Sequence, residues 1–301
     1  MTTRDPEFQL MIGDNASAAS PFKASELVWS GISQNFRERI DGGHIDDIWQ
    51  FNTRFAMWPP GDRHYEGYAR YMGHEGACGN WYARACELYL SKLREKDVHG
   101  VINNANVKPD WDELLSLESV ISIINEDPSL LTETRVIVDL GAGWGRFGYV
   151  MVRVNPKLTY VACDIPESLI VAQHHLPRRL PDVACRPYSQ NRSVERFTRE
   201  LLQSSPGIWF CGTQDLARFD DASVDLFTNM FSFQEMTLQQ VTEYFAVICR
   251  ITKGGMLYNE QRVGPFAVMN RTDYPYPATW NCLFDRLTIP LHAFFEAAYK
   301  L

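Results

Sequence analysis

VIVDLGAGWGRFGYVMVRV, residues 136–154, is the stretch from which the fold is read. Its first five residues, VIVDL, form a short apolar run with an acid near its end, typical of a buried strand. Glycines at 141, 143 and 145 then break the run. Phe147, Val150, Met151 and Val154 follow at helical spacing. Alternate glycines let the backbone turn tightly and approach a ligand closely. The helix after them presents free N–H groups to that ligand.

The same alternation continues on the C-terminal side. LTYVACDI (158–165) reads as a strand and PESLIVAQHHL (166–176) as a helix with Pro166 in its first turn. SVERFTRELLQ (193–203) predicts another helix, and IWFCGT (208–213) and VDLFTNM (224–230) predict strands. TLQQVTEYFAVICRIT (237–252) is a helix capped by Thr237 and stopped by Gly254 or Gly255. GMLYNEQRV (255–263) is a fifth strand, and LFDRLTI and HAFFEAAYK predict an antiparallel pair. Strands alternating with helices make a doubly wound, mostly parallel α/β sheet over 131–301. Such sheets bind ligands at the carboxyl ends of their strands, beside the switch point.

Before this domain the pattern differs. Residues 1–24 are small and polar and predict a flexible N-terminus, whose first 20 residues should be removable without loss of turnover. Residues 25–130 read as a helical lid or substrate-binding cap, dense in aromatics from Trp29 to Tyr89 and broken at Gly42-Gly43 and Pro59-Pro60-Gly61. The aromatics suit a core, and several also suit the wall of an acceptor pocket. DWDELLSLESVISIIN (110–125) is an amphipathic helix.

Composition narrows the function. A net charge of −8 argues against a nucleic-acid partner, which needs a basic surface. No apolar stretch reaches membrane-spanning length. Seven cysteines without a C-x-x-C, several inside apolar runs, indicate reduced thiols and a cytoplasmic protein. No carboxylate set marks a catalytic metal, so none is expected. The implied partner is a small-molecule substrate.

Asp164 ends the second strand, where a carboxylate can accept both hydroxyls of a ribose. Two nucleotide cofactors fit this plan. Gly143-x-Gly145-x-x-Gly148 matches the dinucleotide pattern, which keeps an NAD-dependent oxidoreductase as an alternative. Yet Gly141, not Gly143, directly follows the strand, and Asp139 would repel a pyrophosphate. That carboxylate suits a cationic cofactor.

On these residues the chain resembles the class I S-adenosylmethionine-dependent methyltransferases. VIVDLGAGWGR, YVACDIPESL, VDLFTNMFSFQEM and ICRITKGG together resemble the sugar O-methyltransferase family of natural-product and polysaccharide pathways. The resemblance spans roughly 136–263, with SFQEM (232–236) its most specific part. It implies a Rossmann-like sheet of seven strands and S-adenosyl-L-methionine as cofactor. It further implies that Asp139, Gly141 and Gly143 face the methionine end, that Asp164 holds the ribose and that Ile165 lies against the adenine. Thr213 and Gln214 would meet the adenine edge, with the acid of that loop displaced to Asp215. Met230 and Phe231 would offer backbone near the methionine amine, and Ser232, Gln234 and Glu235 would look toward the acceptor.

Glu235 has no local partner in the sequence and is the candidate base, with His64, set between aromatics, as a second catalytic candidate. Glu260, near the end of the fifth strand, is a candidate substrate contact. Arg146 can meet a cofactor carboxylate or stand on the surface, and His174-His175, mid-helix and without a partner pattern, reads as structural. The acceptor is either a sugar hydroxyl or an aromatic, indole-type intermediate, methylated at O, N or C. A non-catalytic partner protein keeping the cofactor fold is a further alternative.

Overall fold

Strands buried on both faces must be apolar almost throughout, and VIVDL meets that condition: β1 (Val136–Leu140) is buried at every position. The computed structural model describes residues 5–19, 21–23, 29–46, 119–120, 122–263, 269–288 and 294–301. The described strands after β1 are β2 (Thr159–Asp164), β3 (Cys185–Arg186), β4 (Gly207–Gly212), β5 (Leu226–Met230), β6 (Met256–Arg262), β7 (Asn281–Leu287) and β8 (Phe294–Lys300). They form one sheet in the order β3-β4-β2-β1-β5-β6-β8-β7. β1 to β6 pair in parallel, whereas β8 is antiparallel to both β6 and β7. The mostly parallel α/β fold with its C-terminal antiparallel pair is therefore as expected.

Three details correct the sequence reading. The described sheet has eight strands, not seven, because the two-residue β3 pairs with the outer edge of β4. Two residues are too few for any alternation to signal. The helix expected over 193–203 shrinks to Arg199–Gln203, because Phe197 makes a parallel bridge to Phe219 and Thr198 caps the helix. The helix from Pro166 continues past its expected end to Arg179, with Pro177 in its last turns.

A fourth correction concerns the N-terminus. Residues 5–19 are not loose: Pro6–Ala16 form α1, capped by Asp5, whose side chain accepts the Phe8 N–H at 3.1 Å. Phe8 and Met11, one turn apart, are fully buried. Leu10 and Ile12 pack half-buried against the same cluster, so an apolar stripe docks the helix. The second helix, α2 (Trp29–Asp41), buries Phe36 and Ile40. Its Arg37 reaches the buried Glu167 at 2.6 Å.

The glycine loop leads into α3 (Arg146–Val154), and α4 (Pro166–Arg179) follows β2. With α1, α2 and the helical residues 119–126 (121 aside), they supply one of two apolar clusters among the described residues. The short helices α5 (Tyr188–Asn191) and α6 (Arg199–Gln203) precede β4. The other cluster includes α7 (Leu238–Ile251), whose start is fixed by a reciprocal cap between Thr237 and Gln240. Most of the expected cap, residues 47–118 with His64, lies outside the described residues. Among the described residues, no helix is long and apolar enough to cross a membrane. The described cysteines, 163, 185, 211, 249 and 282, are all free thiols.

Candidate functional site

The strand order reverses between β1 and β5, and there the two carboxyl ends open a cleft of about 260 Å³. That is near the lower bound of small-molecule sites, roughly 300 Å³. Leu140 to Trp144 form one wall and Met230 to Ser232 the other. Asp164 and Ile165 close it from β2, and Trp29, Glu235 and Tyr244 from above the strands.

Local chemistry fixes these walls. Asn229, the polar residue in LFTNM, donates to Leu140 O at 2.9 Å and to Ser232 Oγ at 2.5 Å, while its Oδ1 accepts the Phe233 N–H at 2.9 Å. One buried amide thus ties the end of β1 to the turn after β5. Gly141 has φ +74°, and a Cβ there would stand 2.3 Å from Ser232 Oγ. A side chain at 141 would force the two walls apart.

Asp139 does not line the cleft. It is buried beneath the loop, accepting Tyr160 O–H at 2.6 Å and Thr228 O–H at 2.8 Å. Tyr160 reaches it across Gly148, where a Cβ would meet the phenol ring at 2.1 Å. The third glycine of the dinucleotide-like pattern is thus needed for helix–strand packing. Burial pushes the Asp139 carboxyl up to about 6, against the two hydroxyl donors.

Asp164 faces the cleft. Its Oδ2 accepts the Gly143 N–H and its Oδ1 the Ile165 N–H, each at 2.7 Å. Burial raises its carboxyl to about 8, those two N–H groups opposing the rise. A carboxylate offers about four acceptor positions, so about two remain for hydroxyls. Gly143, at φ +57°, has nothing within 4 Å of where a Cβ would stand. Open space on the loop and free acceptor positions on Asp164 fit a ribose-bearing ligand.

The remaining expected residues divide. Gly141, Gly143, Asp164, Ile165, Thr213, Met230, Phe231, Ser232 and Glu235 come together around the cleft, with Arg146. Gln214 does not: its amide is held between Asn15 and Tyr188 O–H, at 3.2 and 2.9 Å. Asp215 caps its own turn through the Gly212 N–H and pairs with Arg218. Gln234 turns to β6, where its Oε1 accepts the Arg262 N–H at 2.7 Å. Glu260 is buried outside the cleft, accepting Ser119 O–H at 2.7 Å and Tyr258 O–H at 3.1 Å. Burial lifts it to about 7. These four side chains hold the framework, because each finds a partner within the fold before it can reach the cleft.

Glu235 lacks a local partner but has a distant one. Its Oε2 accepts the Trp29 indole N–H at 2.8 Å, across 206 residues of chain. Burial raises its carboxyl, while Trp29 and then Arg262 pull it down. Trp29, Tyr244 and Lys23 were not singled out for the site from sequence; for the first two, a polar tip on an aromatic was the available signal.

These buried acids make stability depend on pH. Carboxyls raised in the folded state release protons first from the unfolded chain, so stability falls as pH rises toward the folded value. His174 and His175 are lowered by burial, His175 to about 4, and act oppositely below their ordinary 6.5. The window without that opposition is therefore from 6.5 to the Asp164 value of about 8. We expect the melting temperature of the ligand-free protein to fall across it, and Asp164→Asn to flatten most of the fall. A melting temperature rising with pH in that window would contradict the burial of Asp164.

No protein-family model and no curated protein matches the chain. Solved structures do match, at low identity. A SAM-dependent methyltransferase from Aquifex aeolicus is 16% identical over 60% of this chain and 97% of its own, with a TM-score of 0.38. Magnesium protoporphyrin IX methyltransferase from Synechocystis PCC 6803, solved with bound SAH, is 12% identical over 70% and 93%, with a TM-score of 0.42. Geranyl diphosphate C-methyltransferase from Streptomyces coelicolor A3(2) is 14% identical over 62% and 80%, with a TM-score of 0.41. The likeness to each of these three methyltransferases is one of structure, at low sequence identity.

Proposed function

We propose that the chain is an S-adenosylmethionine-dependent methyltransferase acting on a small molecule. The observation that carries this reading is one cleft at the switch point that gathers an open glycine loop, a ribose-competent carboxylate and a second, raised carboxylate. Asp164 holds the ribose hydroxyls, and Ile165 and Thr213 flank the adenine. Gly141, Gly143, Met230 and Phe231 border the methionine end. Asp139 acts from beneath, as a positioning acid that fixes Tyr160 and Thr228 under the loop.

The cofactor, when bound, supplies an electrophilic methyl group on a sulfonium. The chain's part is to align the acceptor with it, exclude water and take a proton. Alignment alone supplies much of such a rate. Glu235, in the turn Phe233–Glu235 after β5, is placed to accept the acceptor's proton. Trp29, Trp144 and Phe231 give the cleft aromatic faces, which favour a nearby cation. The acceptor is a sugar hydroxyl or an aromatic, indole-type ring, bounded in part by the N-terminal cap.

S-adenosylhomocysteine at a hundred times its Kd should stabilise the fold by about 2.7 kcal/mol, seen as a raised melting temperature. Asp164→Ala should remove most of that rise. If NADH stabilises the protein and S-adenosylhomocysteine does not, the loop binds a dinucleotide and this reading is wrong.

A further inference from the structure

Outside the cleft lining, α4 carries His174 and His175 in succession. Adjacent helical positions point away from each other and rarely serve one partner. Here they do. His174 Nε2 lies 3.2 Å and His175 Nε2 3.5 Å from the same oxygen, Oδ1 of Asp46. The two rings stand edge to face, with centroids 4.9 Å apart at 77°. Asp46 follows α2 and comes from 128 residues away in the chain. We propose that Asp46, His174 and His175 bind one divalent transition-metal ion of the zinc class.

The distances suit such an ion. Tetrahedral bonds of about 2.0–2.1 Å set neighbouring ligand atoms about 3.3–3.4 Å apart. Both nitrogen-to-carboxylate separations straddle that value, and all three ligand atoms lie within 4.8 Å of one another. Modest rotation of the imidazoles and of the exposed Asp46 closes the remaining edge. Two nitrogens and one oxygen favour zinc or its neighbours over calcium or magnesium, which demand oxygen ligands. Three protein ligands leave a fourth position for water. Each imidazole coordinates through Nε2 as the neutral tautomer, its proton on Nδ1. Two cations, Arg178 and Arg179, lie near the histidines and would oppose the ion. The Arg179 guanidinium is 4.4 Å from the Tyr149 ring centroid and 5.2 Å from that of Trp144.

The ion would fasten the segment after α2 to the later turns of α4. Arg37, in α2 itself, already pairs with Glu167 near the start of α4. Since α2 begins at Trp29, which holds Glu235, the clamp steadies the helix that reaches into the cleft. The proposal does not rest on methyl transfer.

The test uses the full chain, stripped with EDTA, titrated with ZnCl2 by calorimetry and with CoCl2 by visible absorption. One equivalent should bind, raise the melting temperature reversibly, and give the d–d bands of tetrahedral cobalt. His174→Ala and Asp46→Ala change partly exposed side chains, so the fold should survive, which circular dichroism checks. Each should weaken zinc at least about tenfold, the lower end of the loss seen when even a supporting group is removed. Thiols and imidazoles elsewhere in the chain would bind zinc regardless of these variants. Absence of saturable binding, or binding equally strong in both variants, overturns the proposal.

Discussion

Replacing Glu235 by Gln should lower kcat by about a hundredfold or more, the scale of losing a positioned base. Gln keeps the shape and can still accept the Trp29 N–H, so the geometry above β5 survives. What goes is the ability to take a proton. Cofactor affinity should hardly move, since Asp164 and the glycine loop carry it. Trp29→Phe separates the roles of the pair. The indole N–H favours the charged carboxylate, so its loss raises the Glu235 carboxyl further. The acid limb of kcat against pH should shift to higher pH in Trp29→Phe and vanish in Glu235→Gln. Near-normal turnover by Glu235→Gln would move the base elsewhere, or mean that alignment suffices. Glu260, walled off with Ser119 and Tyr258, is then no successor, which leaves His64 as the next residue to test.

Removing residues 1–20 should destabilise the protein severely, the reverse of what their composition suggests. Burying a side chain of this kind contributes about 1.5–3 kcal/mol, so losing Phe8 and Met11 costs about 3–6 kcal/mol. Domains are stable by only about 5–15 kcal/mol. The deletion also strips Asp14 from Tyr188 and Arg192, and Asn15 from Gln214 beside the cleft. The denaturation midpoint of the truncated chain should drop sharply, and turnover with it at ordinary temperature. An unchanged midpoint would show that α1 adds nothing to the fold.

The two expectations show what a sequence can and cannot tell. The strands and glycine turn were legible because their signals are local: β1 is apolar throughout, and Asp164 closes the next strand. Helix α1 was not legible, because its apolar residues gain meaning only from the surface of α4 and α5 that receives them. The site divides the same way. Backbone positions such as Gly141 and Gly143 follow from the turn itself. Side chains such as Gln214, Gln234 and Glu260 had partners distant in sequence, and spacing cannot announce Tyr188, Arg262 or Ser119. The Trp29–Glu235 and Asp46–His174 contacts were missed for the same reason, each spanning more than a hundred residues.

Phe231 carries a cost of another kind. It directly follows β5, at φ +65°, a left-handed backbone that glycine adopts freely and phenylalanine does not. Holding a bulky residue there costs roughly 1–3 kcal/mol. Its N–H is anchored on Glu260 O at 2.8 Å and its ring packs edge-on to Phe294, so the surroundings enforce the conformation. A selection for heat resistance would therefore be drawn to glycine at this position, and would be rewarded for it. The same change would take the ring out of the cleft wall and from beneath Arg146. Evolution toward a hardier protein and evolution toward a better catalyst pull this one residue in opposite directions.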